Sequence, residues 1–76
     1  MIKRMVSETI YKYNIAIEEH NVFSAVVVYR LVNAFTTLYA TGLISQKTYD
    51  EYKDKMNSMK DNVCYAYGED ELKEYL

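Results

Sequence analysis

The chain contains no proline, and its 76 residues include only two glycines, Gly42 and Gly68. Tight turns in sheets and long loops depend on these two residue types. Most of the backbone is therefore free to be helical, and the sequence predicts an all-α protein. The two glycines are expected to mark helix ends, because glycine is the commonest residue just beyond a helix C-terminus.

The length of the chain limits it to one hydrophobic core, because a chain of this size buries only about 60% of its unfolded surface. Half of the residues are apolar and 26% are charged, which is typical of a folded chain and not of a disordered one. We therefore expect a single helical domain that spans residues 1–76.

The clearest helical pattern begins after Ser45, which is a good N-cap residue, and ends before Gly68. Apolar residues recur there every three or four positions and predict a helix over 46–67. The other faces carry four basic and four acidic side chains. The core-facing positions are Tyr49, Tyr52, Met56, Met59, Val63 and Ala66.

The middle segment is the most apolar part of the chain, and it predicts a helix over 22–41. Its few polar residues, among them Arg30, Asn33 and Thr37, fall on one narrow stripe. Arg30 and Asn33 lie near the middle and would be costly in lipid, so no membrane span is expected. A helix that is apolar over most of its circumference must be covered from several directions.

The first helix is predicted over about 3–19, with its core face formed by Ile2, Val6, Ile10, Tyr13 and Ile17. The apolar phase continues into the middle segment, so a long helical hairpin with one continuous helix over 3–41 is the alternative. Asn21 favours a break, because asparagine is a good N-cap. We therefore predict a small three-helix bundle, followed after Gly68 by a short acidic C-terminal helix or tail.

The reactive side chains are few. Cys64 and His20 are the only cysteine and histidine, which excludes a disulfide framework and a zinc site of several such ligands. Glu18, Glu19 and His20 are adjacent and therefore point to different faces of a helix. No glycine-rich phosphate loop is present. The sequence predicts no enzyme, no cofactor, no metal and no small-molecule substrate.

A cytoplasmic location is expected, because Glu8, Lys12 and Asn14 interrupt the apolar residues that a secretory signal would need. A single cysteine also suits a reducing compartment. Lysine, asparagine, isoleucine and tyrosine are abundant, and their A/T-rich codons point to a bacterial or phage genome.

The segment from Leu38 to Tyr49 resembles the helix, Gly-Leu-Ile-Ser, helix connector of many short bacterial and phage proteins, and this likeness implies a connector only. The same segment resembles the turn of a helix-turn-helix motif. In that alternative, a small DNA-binding regulator would read bases with the helix after Ser45, beginning with Gln46 and Lys47. The net charge of −2 disfavours nucleic acid as a partner, because neutralisation of phosphates supplies much of the affinity.

Nine tyrosines make protein binding the favoured function, because tyrosine and arginine often anchor interfaces. Two neighbouring helices cannot cover all of the apolar surface of the middle helix. We therefore expect self-association as a homodimer, binding of a protein partner, or both. A phage or mobile-element regulator or inhibitor that occludes its partner would fit this description. The candidate partner-binding residues are Tyr11, Ile15, Tyr29, Arg30, Asn33, Thr37, Tyr65 and Tyr67.

Overall fold

A computed structural model describes every residue from Met1 to Leu76 and contains four helices. The first three are long and pack side by side, and the fourth is a single short turn of helix. The predicted three-helix bundle is confirmed, and the acidic segment after Gly68, predicted as a helix or a tail, begins with a short helix. The extents of the bundle are 33 × 21 × 17 Å. The helices are α1 (Ile2–Glu18), α2 (Val22–Ala40), α3 (Gln46–Tyr67) and α4 (Glu69–Lys73).

The chain reverses direction between α1 and α2, so the alternative of one continuous helix over 3–41 is wrong. His20 has a φ of 53°, in the left-handed region, and a right-handed helix cannot continue through such a residue. Asn21 then starts α2, because its side-chain oxygen accepts a hydrogen bond of 3.0 Å from the backbone N–H of Ser24.

The connection from α2 to α3 is built from a glycine stop and a serine cap. Gly42 has a φ of 79°, and the N–H of Leu43 donates back to the carbonyl of Leu38 at 2.8 Å, which closes the end of α2. The hydroxyl oxygen of Ser45 accepts from the backbone N–H of Thr48 at 3.1 Å and opens α3. Both ends follow from local sequence.

The core is dominated by α2, which contacts α1, α3 and α4 and supplies six of the twelve buried apolar residues. α3 contributes three of its predicted positions, and α4 contributes one residue, Leu72. The buried apolar residues are Val6, Ala16, Ala25, Val26, Val28, Tyr29, Val32, Phe35, Met56, Met59, Val63 and Leu72.

Some predicted core positions lie at the surface instead. Ala66 is exposed, and Ile17 is 37% exposed. α1 instead buries Thr9 and Ala16 completely. Both side chains are smaller than the isoleucines that were expected on the core face of α1. Small side chains let α1 approach its neighbours closely, and the hydroxyl of Thr9 is satisfied by donating to the carbonyl of Met5 at 2.8 Å.

α2 is long and apolar enough to cross a membrane by length and composition alone. Buried core helices of water-soluble proteins meet the same criterion, and 39% of the relevant segment of α2 is buried inside the bundle. Arg30 lies near the middle of this helix and is exposed.

Candidate interaction surface

One side of α2 is left uncovered by the other three helices. Phe23, Arg30 and Thr37 recur every seven residues, which is two helical turns, and all three are exposed. Ala34 is exposed between them. We call this surface the uncovered face of α2; it consists of Phe23, Arg30, Ala34 and Thr37, with the half-buried Val27, Leu31 and Leu38 along one margin.

The uncovered face is mainly apolar. It extends for about 22 Å from Phe23 to Leu38, at 1.5 Å per residue. Arg30 carries its only charge, and the guanidinium makes no hydrogen bond or ion pair within the chain. The face is therefore an apolar strip with one unpaired cation near its centre.

The N-terminal end of this face continues onto the end of the chain. The ring of Phe23 meets the ring of Tyr75 edge-on, with centroids 5.5 Å apart and planes at 81°. Leu72 is fully buried and holds α4 against the core, which places Tyr75 beside α2. Leu76 follows and is 57% exposed. The two rings thus form an open aromatic patch, and Leu76 follows it in the chain.

Acidic side chains lie close in sequence to both rings of this patch. Five exposed carboxylates occur within five residues of Phe23 or Tyr75, against one ammonium group, that of Lys73. None of the five takes part in an ion pair, because the one salt bridge of the chain joins Lys53 to Asp50. The carboxylates belong to Glu18, Glu19, Asp70, Glu71 and Glu74.

Tyr29 was predicted to lie at the surface, and that prediction is wrong. It is 4% exposed, because α4 covers this side of α2, and its hydroxyl donates to a carboxylate oxygen of Glu69 at 3.0 Å. The ammonium of Lys60 lies 4.9 Å from the ring centroid and donates to the side-chain oxygen of Asn33 at 2.9 Å. Burial raises the pKa of Tyr29, and the hydrogen bond to Glu69 raises it further.

Tyr67 is also placed differently from the prediction. It is half-buried and packs against the core, and its hydroxyl donates to the backbone carbonyl of Ala16. Tyr67 follows Val63 by four residues, so both lie on the core side of α3. Its role is to join the end of α3 to α1.

The remaining candidates do not form one site. Tyr11 is 60% exposed on α1 and Tyr65 is 95% exposed on α3, while Ile15 is half-buried. Asn33 is half-buried and engaged by Lys60, as described above. Of the eight predicted residues, only Arg30 and Thr37 lie together on the uncovered face of α2.

Sequence reasoning missed Phe23 and Tyr75. The sequence did contain a signal for Phe23. This residue precedes Arg30 by seven positions, which is two helical turns, and so lies on the same side of α2 as the polar stripe. Tyr75 carried no comparable signal. Its position depends on how α4 docks, which is a contact between segments about fifty residues apart.

Side chains at the start of α3 are engaged in hydrogen bonds with one another and with Tyr39 of α2. The side-chain oxygen of Gln46 accepts from the hydroxyl of Tyr39, and its amide donates to Asp50 at 2.9 Å. Lys53 pairs with Asp50 at 3.1 Å, and the hydrogen bond from Lys53 is the main reason that the pKa of Asp50 is lowered. Of the residues proposed to read DNA, Lys47 is exposed and outside this network.

The reactive groups are not gathered into a site. Cys64 is half-buried, and burial raises the pKa of its thiol, with a further increase from the carboxylate of Glu69. His20 is exposed in the loop between α1 and α2. No three histidine, cysteine or acidic side chains converge as ligands for a metal ion.

An open cleft lies between α1 and α3, lined by Ile10, Tyr13, Lys55 and Met59 among others. The amide of Asn62 donates to the hydroxyl of Tyr13 at 3.0 Å in its wall. Comparison with protein family models, curated protein sequences and solved structures gives no match for this chain.

Proposed function

We propose that the protein is a small, non-enzymatic protein-interaction module of the cytosol that binds its partner along the uncovered face of α2. One observation carries the proposal: the most apolar helix of the chain leaves a continuous strip open, in which Phe23 is 65% exposed and Ala34 is exposed. Contiguous apolar strips of this kind mark binding sites more often than scattered apolar residues do.

The strip alone is too small for a stable complex. A standard interface buries about 800 Å² on each partner, which is roughly one sixth of the 5010 Å² surface of this chain. Full burial of Phe23 contributes about 2–3 kcal/mol, whereas association costs at least about 4 kcal/mol. The partner must therefore extend beyond α2, either onto the α1 side beside Leu31 or onto the aromatic patch.

The partner is a second copy of the chain, another protein, or each in turn. Binding would act by covering a surface of the partner. A regulator or inhibitor of a phage or a mobile element would work in this way, and so would a housekeeping adaptor.

Light scattering after size exclusion tests the proposal, with Ala34→Arg placing a second cation on the strip, one helical turn beyond Arg30. We expect the wild type to form a species heavier than the 9.0 kDa monomer, alone or with a partner, and Ala34→Arg to lose it. Asn57→Arg is the matched control, because it adds the same charge at an exposed position of α3 and should change nothing. A strict monomer at all concentrations, with no binding that Ala34→Arg abolishes, would contradict the proposal.

A further inference from the structure

The aromatic patch at the N-terminal end of the uncovered face has the features of an anchor point. Phe23, Tyr75 and Leu76 are 65%, 43% and 57% exposed, although the two rings already touch each other. Aromatic side chains dominate the binding energy of most interfaces when a partner excludes water from them. Much apolar area at this end is still open for burial.

The patch is held in place on both sides. Phe23 lies in the first turn of α2, directly after the cap that Asn21 makes to Ser24. Tyr75 follows α4, which is fixed by the buried Leu72 and by the hydrogen bond from Tyr29 to Glu69. A preformed surface loses little conformational entropy when it binds.

The charge around the patch selects the chemistry of the partner. The five unpaired carboxylates described above lie within five residues of Phe23 or Tyr75 in the sequence, with Lys73 as the one opposing charge. Exposed rim charges of this kind chiefly control partner choice and association rate, and they act within a Debye length of about 8 Å at physiological salt.

A second copy of the chain is a poor occupant for this end. In a two-fold dimer whose axis passes through the patch, the patch of one copy faces that of the other, and the carboxylates that lie near it in sequence are brought together. Like charges brought together across an interface cost several kcal/mol.

We infer that the aromatic patch binds an amphipathic helical segment of another protein, whose apolar stripe is flanked by lysine or arginine residues. This inference rests on the proposed function and names the partner class. The apolar stripe would cover Phe23 and Tyr75 and continue towards Val27, as in other helix-in-groove complexes. Arg30 lies about 10 Å further along α2, so the basic residues of the segment must end before it.

Fluorescence anisotropy with two labelled synthetic helical peptides tests the inference. Both peptides carry the same leucine stripe, and their polar faces consist of lysine in one and glutamate in the other. We expect the lysine peptide to bind the full chain at least about tenfold more tightly than the glutamate peptide, with a Kd that rises with salt.

Two variants separate the patch from general attraction between opposite charges. Phe23→Ser keeps every charge and should weaken binding of the lysine peptide by about tenfold, as loss of an aromatic anchor does. Leu43→Ser removes an equally exposed apolar side chain at the opposite end of α2 and should leave the Kd unchanged. Exchange of Glu18, Glu19 and Glu74 for glutamine should reduce both the affinity and its salt dependence.

The inference is overturned if the lysine peptide binds no better than the glutamate peptide, or if Phe23→Ser and Leu43→Ser behave alike. It is also overturned if Phe23→Ser dissociates a homodimer that salt strengthens, because a second copy then occupies the patch. In each case the proposed function survives as long as Ala34→Arg still abolishes an assembly in light scattering.

Discussion

Tyr29 joins three elements of the bundle through one side chain. Its ring lies in the core, its hydroxyl donates to Glu69 at the start of α4, and the ammonium of Lys60 in α3 lies over its face. A buried hydroxyl that lacks a partner is costly, and the carboxylate of Glu69 satisfies this one. The sequence pattern alone misplaced Tyr29, because Tyr29 lies at the edge of the polar stripe of α2. Whether it is buried or exposed depends on whether α4 covers it.

Substitution of Tyr29 should change how stability responds to alkaline pH. Burial raises its pKa above the ordinary value of about 10, so the unfolded chain ionises this hydroxyl first as the pH rises. The stabilising contribution is therefore complete below about pH 10 and is lost as the pH rises through the raised pKa. We expect Tyr29→Phe to flatten the alkaline decline in the free energy of unfolding.

Urea unfolding at neutral and at strongly alkaline pH measures this effect. Tyr65→Phe is the matched control, because it removes the same hydroxyl from a side chain that is 95% exposed. If both variants lose stability equally between the two pH values, the burial assigned to Tyr29 is wrong.

At the scale of elements, the three long helices were predictable because their ends are encoded locally. Asn21 and Ser45 cap α2 and α3 through their side chains, and Gly42 and Gly68 stop helices at positive φ. The core face of α1 was only partly predictable. The preference for Ala16 over Ile17 in the interior depends on how closely neighbouring helices approach, which periodicity does not specify.

α4 depends on tertiary contacts for its existence. Its five residues are far too few for a stable isolated helix. Leu72 is fully buried, and the bond from Tyr29 holds the first turn. The sequence predicted either an acidic helix or an acidic tail here. It could not distinguish the two, because the helix is stable only when Leu72 is buried in the core.

Leu72→Ala tests whether α4 is part of the folded core. We expect the free energy of unfolding to fall by about 2–5 kcal/mol, as for other buried leucines. This is a large fraction of the total for a chain of 76 residues, which is about 4–11 kcal/mol. Leu76→Ala is the control, because that side chain is 57% exposed and should change stability by less than about 0.5 kcal/mol.

Denaturant unfolding gives both values, and amide hydrogen exchange in α4 gives an independent measure. Loss of protection confined to α4, together with an unchanged free energy of global unfolding in Leu72→Ala, would indicate that α4 is an appendage. The aromatic patch at Tyr75 would then have no fixed support.

The whole molecule is arranged around α2, with α1, α3 and α4 on three of its sides and the fourth side open. Charge follows the same arrangement: acidic residues are concentrated near α4 and the loop between α1 and α2, although the chain as a whole has a net charge of only −2. The apolar excess of the middle helix was visible in the sequence. The polar stripe with Arg30 and Thr37 also indicated which side of that helix would remain open, but not how far that side extends, because its extent depends on where α4 packs.

Site-specific photo-crosslinking is the most direct measurement of the central claim that the uncovered face of α2 binds protein. A photoreactive amino acid replaces Ala34 in one variant and Asp54, an exposed residue of α3, in the other. The account predicts one adduct of defined mass from position 34, either with a second copy or with one other protein, and none from position 54. Equal crosslinking from both positions, or none from position 34, would contradict it.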